Sequence, residues 1–268
     1  MTIVKTHALV LRITPYSNTS HVVVWLTEAG ERISTLIKGA LRPKSDFLGQ
    51  YGLFCGCELL YYRRDGDGLH IARECALLEA RTGLRRNWRA FGGASYISHL
   101  ILNTSMEGQR DPLGYHLAQT AFDALDTGGA RQEAVFWFEL QWLKHLGFSP
   151  QLQQCTRCHR PLGARETHVL WATEGVVCGA CADTQRTGGP SSTALATLRP
   201  DVLAILRRWQ AQPDAHVMAT TQCSERQVLE FDRLLGMLIA DHMDNTPESR
   251  KIALLLMRSG FGANGSSK

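Results

Sequence analysis

The sequence lacks the features that mark membrane and secreted proteins. Its 268 residues contain no run of eighteen or more apolar residues, so we predict no transmembrane helix and no membrane partner. The first residues, MTIVKTHALVLRITP, do not combine a basic region, an uninterrupted apolar segment and a small-residue cleavage site, as a secretion signal would. We therefore expect a cytoplasmic protein, in whose reducing surroundings disulfide bonds are unfavourable.

Motifs of the common catalytic classes are missing too. The chain has no Gly-x-x-x-x-Gly-Lys-Ser/Thr phosphate loop, no Gly-x-Ser-x-Gly nucleophile elbow and no His-Glu-x-x-His zinc motif. The His-x-Glu that accompanies Cys-x-x-Cys in nucleobase deaminases is also absent. We expect no enzymatic activity. The alternative left open is a nucleic-acid-processing enzyme whose acidic residues are scattered along the chain.

Positive charge is unevenly distributed along the chain. The formal net charge is +4, but residues 1–90 contain thirteen Lys and Arg against eight Asp and Glu, whereas residues 91–268 contain sixteen against seventeen. An excess of cations in one region fits a polyanionic partner such as nucleic acid. A well-solvated basic surface with no partner is the alternative.

Extended segments dominate the first eighty or so residues. Five runs rich in β-branched and aromatic residues are separated by turn signals, among them Ala29-Gly30 and residues 65–68, where glycine accepts positive φ. Five such runs leave no room for crossover helices, which predicts a small antiparallel barrel and favours an OB-like one. The runs are IVKTHALVLRI, SHVVVWLTE, RISTLIKG, LFCGCELLYYRR and LHIARECALLEA.

Helical spacing of apolar residues replaces the strand pattern further along the chain. Asp111, which is followed by proline, predicts the start of one helix, and Gly147 predicts the end of another. Ser224, with glutamine three residues later, predicts a capping box. Two helical blocks, roughly 82–149 and 191–259, are therefore expected to pack together.

Four of the eight cysteines form two Cys-x-x-Cys pairs with nineteen residues between them. Two such turns can direct four thiolates to one point, which is the tetrahedral arrangement that Zn²⁺ accepts. Four thiolates leave no position for an activated water, so we predict a closed, structural zinc site rather than a catalytic one. A redox role would require a thioredoxin-like unit, which the sequence does not show. The predicted ligands are Cys155, Cys158, Cys178 and Cys181.

Other cysteines and nearby histidines have ordinary explanations. Cys55, Cys57 and Cys75 are predicted to be buried packing residues of two strands rather than a second metal site. His159 and His168 stand within the zinc segment, and we expect them to be ordinary residues of that lobe. A hairpin that turns near Glu174-Gly175 is predicted between the two pairs.

The fold predicted from these patterns is α+β and multidomain. An N-terminal OB-like β-barrel is followed by an all-α domain that carries a zinc-ribbon-like insert. The predicted ranges are 1–80 for the barrel, 81–150 for the first part of the helical domain, 151–188 for the insert and 189–268 for the second part.

Basic residues stand where a barrel would present them, in a loop, at a strand end and at a helix start. Aromatic residues are interleaved with them, and charged grooves with stacking platforms are typical of single-strand binding. For each aromatic residue, packing in the core is the alternative. The interleaved aromatics are Tyr16, Trp25, Phe47, Tyr51, Tyr61 and Tyr62. The candidate DNA contacts are Lys38, Arg42, Lys44, Arg63, Arg64, Arg85 and Arg86.

Over nearly its whole length the chain resembles the RecO family of bacterial recombination mediators. The order of barrel, helical domain and cysteine segment contributes to the resemblance more than any single motif. The stretches that carry it are THALVLRITPYSNTSHVVVWLTEAG, ISTLIKGALRPKS, SYISHLIL, CTRCHRPL, GVVCGAC and FDRLLGMLIADHM.

The resemblance implies a protein that binds single- and double-stranded DNA and anneals complementary strands. It also implies work with RecR and with the C-terminal tail of the single-strand-binding protein to help load RecA, in the cytoplasm and at the nucleoid. The four paired cysteines match the family's zinc ligands, and Lys38, Arg42 and Lys44 match its basic stretch, which we assign to phosphate contact. The alternative is a zinc-containing protein-interaction adaptor without intrinsic DNA affinity.

Overall fold

The computed structural model forms two compact units. Unit 1 contains residues 1–130 and 252–268, and unit 2 contains residues 131–251. This division follows contacts within the chain and leaves the four predicted domain ranges as predictions. Among the described residues, no helix is both long enough and apolar enough to cross a membrane. The structure describes residues 2–64, 68–105, 108–163, 169–172, 174–186, 196–212, 214–243 and 247–258.

Five strands of unit 1 close into a ring, as the five runs in the sequence predict. The order around the ring is β1-β2-β3-β5-β4, and β4 pairs back onto β1. The predicted turn at Ala29-Gly30 joins β2 to β3, whereas most of the turn predicted at residues 65–68 lies outside the described residues. The strands are β1 Thr2–Ser17, β2 Ser20–Thr27, β3 Arg32–Ile37, β4 Gly56–Arg63 and β5 His70–Glu79.

One pairing in the ring differs from the antiparallel arrangement that the sequence predicts. β3 and β5 run parallel, with Leu36 opposite Ile71, whereas the other neighbours are antiparallel. The reason is the long segment 38–55, which carries the chain away from β3 so that β4 can pair with β1. β5 then folds back on β4 and meets β3 with its other edge. Parallel strands need such a long connection.

The inside of the ring is filled by side chains that alternate along the strands. Trp25 and Tyr61, two of the stacking candidates, belong to this core, and the Trp25 indole N–H donates to Thr35 Oγ1 at 2.8 Å. Phe47 and Tyr51 pack against the same core. The prediction of buried packing is confirmed for the three strand cysteines, which are Cys55, Cys57 and Cys75.

Three helices of unit 1 follow the ring: α1 Thr82–Arg86, α2 Trp88–Thr104 and α3 Pro112–Thr127. The predicted start of α3 is confirmed, because the Asp111 carboxylate accepts a hydrogen bond from the Leu113 N–H at 3.0 Å. Gly30, at φ 76°, lies against this cap, and a Cβ there would come within 1.8 Å of the Asp111 carbonyl oxygen. Glycine at this turn therefore lets the ring approach the start of α3.

Unit 2 is mainly helical, with three short strands in the order β7-β6-β8. Its elements are α4 Gln132–His145, β6 Val169–Ala172, β7 Gly175–Cys178, α5 Gly179–Arg186, β8 Ala196–Leu198, α6 Pro200–Ala211, α7 Ala215–Thr220 and α8 Glu225–His242. α9 Glu248–Arg258 begins in unit 2 and ends in unit 1. The capping box at Ser224 is confirmed. α4 packs against α6 and α8, so helices of both predicted blocks do pack together.

A buried ion pair lies at the centre of unit 2. Glu139 of α4 is fully buried, and both of its carboxylate oxygens accept hydrogen bonds from Arg250, at 2.6 and 3.1 Å. A further N–H of Arg250 donates to Asp232 of α8 at 2.7 Å. The planar guanidinium therefore pairs with carboxylates of two helices at once, and a lysine at this position would lack the planar fork that this needs.

A second buried arginine joins the ring to the helices of unit 1. Arg81 follows β5 in the left-handed conformation, at φ 41°, and its guanidinium lies over the ring of Phe122. It donates to the Phe54 carbonyl oxygen at 2.8 Å, to Asp123 of α3 at 2.7 Å and to Glu79 at 2.5 Å. A left-handed residue costs roughly 1–2 kcal/mol, which these charge-assisted bonds offset.

We expect Arg81→Met to destabilise the protein by about 1.5–3 kcal/mol, because it removes hydrogen bonds to charged groups and leaves the Phe54 carbonyl without its donor. The matched control is Arg73→Met, since the ion pair between Arg73 and Glu74 is exposed and should matter by less than about 1 kcal/mol. Urea unfolding followed by circular dichroism measures both. Equal losses in the two variants would contradict the role given to Arg81.

Candidate metal centre and nucleic-acid interface

The first Cys-x-x-Cys pair lies on a tight backbone turn. The carbonyl oxygen of Cys155 accepts a hydrogen bond from the His159 N–H at 3.0 Å, and the Cys155 N–H donates to the Arg160 carbonyl oxygen at 2.9 Å. His159 completes the turn with a positive φ of 57°. The Thr156 N–H donates to the carbonyl oxygen of Val176 at 2.9 Å, which ties the turn to β7.

The second pair is positioned by a strand that runs directly into a helix. Cys178 is the last residue of β7, and Cys181 lies in the first turn of α5. The predicted hairpin is present, with Ala172 opposite Gly175 at its turn. Gly175 has φ 137°, and a Cβ there would come within 2.2 Å of the Gln151 carbonyl oxygen. Glycine at position 175 therefore lets the hairpin lie against the segment that leads to the first pair.

The four predicted ligands come together at one point. Their sulfur atoms all lie within 4.8 Å of one another, and the Cys158 and Cys178 sulfurs are 3.8 Å apart. A tetrahedral zinc ion with bonds of about 2.3 Å to sulfur places its ligands about 3.8 Å apart, so the donor set fits. Among the described residues no histidine or carboxylate joins the cluster, and His168 lies outside them. The four cysteines could therefore hold a metal ion.

The thiols of the cluster differ in their affinity for protons. Burial has the largest single effect on Cys155 and raises its pKa, but hydrogen bonds from the backbone N–H groups of Cys158, Cys178 and Arg157 together outweigh it and lower the pKa to about 6. The pKa of Cys178 is also lowered: burial raises it, and the Cys181 backbone N–H is the largest opposing effect. Hydrogen bonds with the Cys158 and Cys178 side chains raise the pKa of Cys181 to about 12.

The basic loop after β3, residues 38–44, presents its cations to solvent. The loop backbone is fixed, because the Leu41 N–H donates to the Thr19 carbonyl oxygen at 3.1 Å and Ala40 is buried in the ring core. The three predicted contacts of this loop are exposed, and their side chains make no ion pair with the described residues. Their charges are therefore available to an anionic ligand. They are Lys38, Arg42 and Lys44.

The two arginines at the end of β4 differ from each other. Arg63 is paired with the buried carboxylate of Glu31, which also lies 3.5 Å from Arg110. Arg64 is exposed, and its backbone N–H donates to His70 Nδ1 at 3.3 Å. Much of the charge of Arg63 is thus compensated inside the protein.

The remaining two candidates, Arg85 and Arg86, lie at the opposite end of β4. Arg85 donates to the Ala80 carbonyl oxygen at 3.1 Å and contacts the Cys55 sulfur at 3.0 Å, directly before β4 begins. Eight residues of strand span roughly 23 Å at 3.3 Å per step. The seven candidate DNA contacts therefore do not form one cluster.

The structure adds two cation and aromatic pairs that the sequence analysis missed. The Arg73 guanidinium lies 6.0 Å from the ring centre of Tyr62, and that of Arg89 lies 5.3 Å from the ring centre of Trp88. Arg73 lies in β5, two residues after Ile71, which pairs with Leu36 at the end of β3. Arg73 therefore lies beside the point where the basic loop begins. The alternating pattern of β5 predicts that Arg73 is exposed. Its position beside the basic loop depends on the parallel pairing of β3 and β5, which could not be read from the sequence.

Two family models match the chain. Recombination protein O N terminal matches residues 1–81, which contain the ring of strands, and Recombination protein O C terminal matches residues 85–251, which contain the four paired cysteines. The chain belongs to the recombination protein O (RecO) family. The family predicted by resemblance is thereby confirmed.

Three relatives, each named DNA repair protein RecO, are similar to the chain over most of its length. One from Rhodopirellula baltica is 30% identical over 209 residues, which are 77% of this chain and 75% of the relative. One from Chlorobium limicola is 26% identical and covers 94% of this chain and 97% of the relative. One from Syntrophus aciditrophicus is 22% identical, with 96% and 97% covered.

For the predicted zinc ligand set, we expect Cys178→Ser to weaken Zn²⁺ binding by more than about 100-fold, beyond the loss expected for an outer-shell partner. Thermal stability should fall as well, because metal binding and folding are coupled. Zinc per chain after dialysis against a chelator, measured by mass spectrometry, checks the first effect. Cys223→Ser is the matched control, since Cys223 lies outside the cluster. Full zinc stoichiometry in the Cys178 variant would reject the ligand set.

We expect Zn²⁺ binding by the four-cysteine cluster to depend on pH as well. At pH 7, Cys181 keeps its proton until metal binds, because its pKa is raised to about 12. Below about pH 6 Cys155 is protonated as well, so protons compete more strongly and zinc affinity falls by at least about tenfold per pH unit. Calorimetry in two buffers of different ionisation enthalpy measures the protons released. An affinity that is constant between pH 7 and 5.5 would contradict this assignment.

Proposed function

We propose that this RecO-family chain is a DNA-binding recombination mediator without catalytic turnover of its own. The observation that carries the proposal is the basic loop, whose three cations are exposed and unpaired among the described residues while its backbone is held on the ring. Relatives named DNA repair protein RecO support the biological setting. In this proposal the loop contacts phosphates of single- and double-stranded DNA.

The ring is proposed to be an OB-like barrel. Its strand order, β1-β2-β3-β5-β4, with β1 closing on β4 and a parallel contact between β3 and β5, supports this assignment. OB-like barrels bind oligonucleotides on a strand face and in the loops beside it. The basic loop and Arg73 lie beside each other on the ring, and Tyr62 is half-buried next to Arg73. This arrangement provides cations for phosphates and an aromatic ring beside them.

Phosphate contacts of this kind give affinity without sequence preference. Each neutralised phosphate releases bound counterions, so affinity falls as salt concentration rises. A protein that holds strands by their phosphates leaves the base edges free to pair with a complementary strand. We therefore propose strand annealing as the activity of the chain, together with RecR, the C-terminal tail of the single-strand-binding protein and RecA as the partners of the pathway, in the cytoplasm and at the nucleoid.

The cysteine cluster is proposed to hold one Zn²⁺ with a structural role. Cys155, Cys158, Cys178 and Cys181 would hold it, and an ion with four thiolate ligands has no open position for a water or a substrate. The cluster lies in a small lobe of short elements, to which a metal crosslink would add stability.

Replacing Lys38, Arg42 and Lys44 together by Ala should weaken binding to single-stranded DNA and flatten its salt dependence. Each phosphate contact contributes about 0.7 to the slope of log affinity against log salt, so the loss of three lowers the slope by about two. The loss of affinity is then about 100-fold greater at 0.1 M salt than at 1 M. Fluorescence anisotropy of a labelled oligonucleotide at several salt concentrations measures the slope. Zinc content should be unchanged.

The control removes the same charge from another surface. Lys144, Arg226 and Lys251 are exposed residues of unit 2, and their joint replacement by Ala should leave the slope nearly unchanged. An annealing assay with complementary strands should follow the same order, with the loop variant slower than the control. An unaltered slope in the loop variant would place the DNA site elsewhere. No binding of the unmodified protein to bare DNA would favour the adaptor, and cleavage of the DNA would favour an enzyme.

A further inference from the structure

Trp88 is an exposed tryptophan in a protein that buries the others described. Its relative exposure is 49%, whereas Trp25, Trp137, Trp142 and Trp209 are at most 2% exposed. Among the tryptophans whose side chains the structure describes, Trp88 alone presents its ring to solvent. An exposed indole forgoes the stabilisation that burial of a large aromatic side chain provides, so its surroundings indicate what it could bind.

The surroundings of Trp88 hold its position. It is the first residue of α2, and the cap before it is fixed, because the Asn87 side chain accepts hydrogen bonds from two backbone N–H groups of the helix. One turn later, Phe91 packs edge-on against the buried ring of Phe54 at 5.2 Å between centroids. The Arg89 guanidinium lies over the Trp88 ring at 5.3 Å. With the guanidinium in this position, about half of the Trp88 surface remains exposed to another planar group.

Three arginines lie within five residues of the chain around this ring. Arg85 and Arg86 form the last turn of α1, and neither α1 nor α2 has an acidic residue in its first turn. Arg85 is fixed by the Ala80 carbonyl oxygen and the Cys55 sulfur. Arg86 is exposed and makes no ion pair with the described residues. The patch therefore combines fixed positive charge with a flat, accessible aromatic ring.

We propose that Trp88, with Arg85, Arg86 and Arg89, forms a base-stacking site for single-stranded nucleic acid, an inference that rests on the proposed function. A base stacks on the exposed surface of Trp88 and the arginines contact the phosphates beside it. Stacking on an aromatic ring suits any base, and cations flanking the ring are the usual companion of such a platform. An acidic protein segment would also meet the positive charge, but it has no need of a flat ring between the cations.

This site is separate from the basic loop. The basic loop begins beside Arg73 of β5, whereas Arg85 donates to the Ala80 carbonyl oxygen just after β5 ends. The strand from Arg73 to its last residue, Glu79, spans roughly 20 Å. A strand bound at Trp88 therefore contacts the protein away from the loop, and loss of one site leaves the other intact. Both sites on one chain would hold either a long single strand or two different strands.

The test uses the fluorescence of Trp88 itself. Oligothymidylate of about ten nucleotides, within the site sizes of single-strand-binding barrels, is titrated into the full chain at low salt. Tryptophan emission should be quenched as anisotropy of the labelled oligonucleotide rises. Trp88→Phe should abolish most of the quenching yet bind within about threefold, because phenylalanine still offers a ring. Trp88→Ala should bind about five- to 160-fold more weakly, the range for loss of one stacked base.

Leu113→Ala is the control, because Leu113 is also exposed in unit 1, at 47%, but has no stacked arginine. It should change affinity by less than about twofold. Salt-dependent binding without quenching, or equal binding by Trp88→Ala and the unmodified protein, would overturn the stacking site and leave the proposed function standing. Quenching by an acidic peptide but not by the oligonucleotide would overturn it in favour of a protein ligand. Absence of any oligonucleotide binding would overturn the proposed function with it.

Discussion

The buried guanidinium of Arg81 is the interaction on which the arrangement of unit 1 depends. It joins three parts of the chain, which are Phe54 shortly before β4, Glu79 at the end of β5 and Asp123 of α3. Because α1 begins directly after Arg81, the same bonds fix the direction in which the helices leave the ring. The side chains of Glu79 and Asp123 remain about half exposed, so Arg81 is the one member of the network that is almost fully buried. Such a network avoids most of the desolvation that makes fully buried ion pairs costly.

Unit 2 also depends on side chains that join distant parts of its chain, and it does so in two ways. In its helical core, Arg250 and Glu139 are both desolvated, and their pairing is specific because two parallel hydrogen bonds join planar groups. In the cysteine lobe, the four sulfurs bring the turn at Cys155 to the end of β7 and the start of α5. Arg207 of α6 connects the lobe to the helices by donating to the carbonyl oxygens of Leu152 and Leu162 at 2.8 and 3.1 Å.

Local patterns predicted local structure well. The five strands, the caps at Asp111 and Ser224 and the meeting of the four paired cysteines all depend on residues close in sequence or on fixed spacing. The parallel contact of β3 with β5 could not be predicted in this way, since it depends on where segment 38–55 leads the chain. Partners distant in sequence, such as Glu139 and Arg250, carry no periodic signal. The sequence also carries no signal for the distances between the candidate DNA contacts, so they were predicted as one set, although the structure separates them.

Counting cations in the sequence overstates the charge that is available to an anionic ligand. Of the cations in the first ninety residues, Arg81 is buried among its partners and Arg63 is compensated by Glu31. The exposed cations of the basic loop and the α1 arginines lie at different places, because the loop begins beside Arg73 and Arg85 is bound just past the end of β5, roughly 20 Å along the strand. A chain that neutralises only a few phosphates at any one place binds each stretch of strand weakly, and weak contacts allow a strand to be released once it has paired. For the mediator function that we propose, a divided and partly compensated basic surface would therefore be more useful than a continuous one.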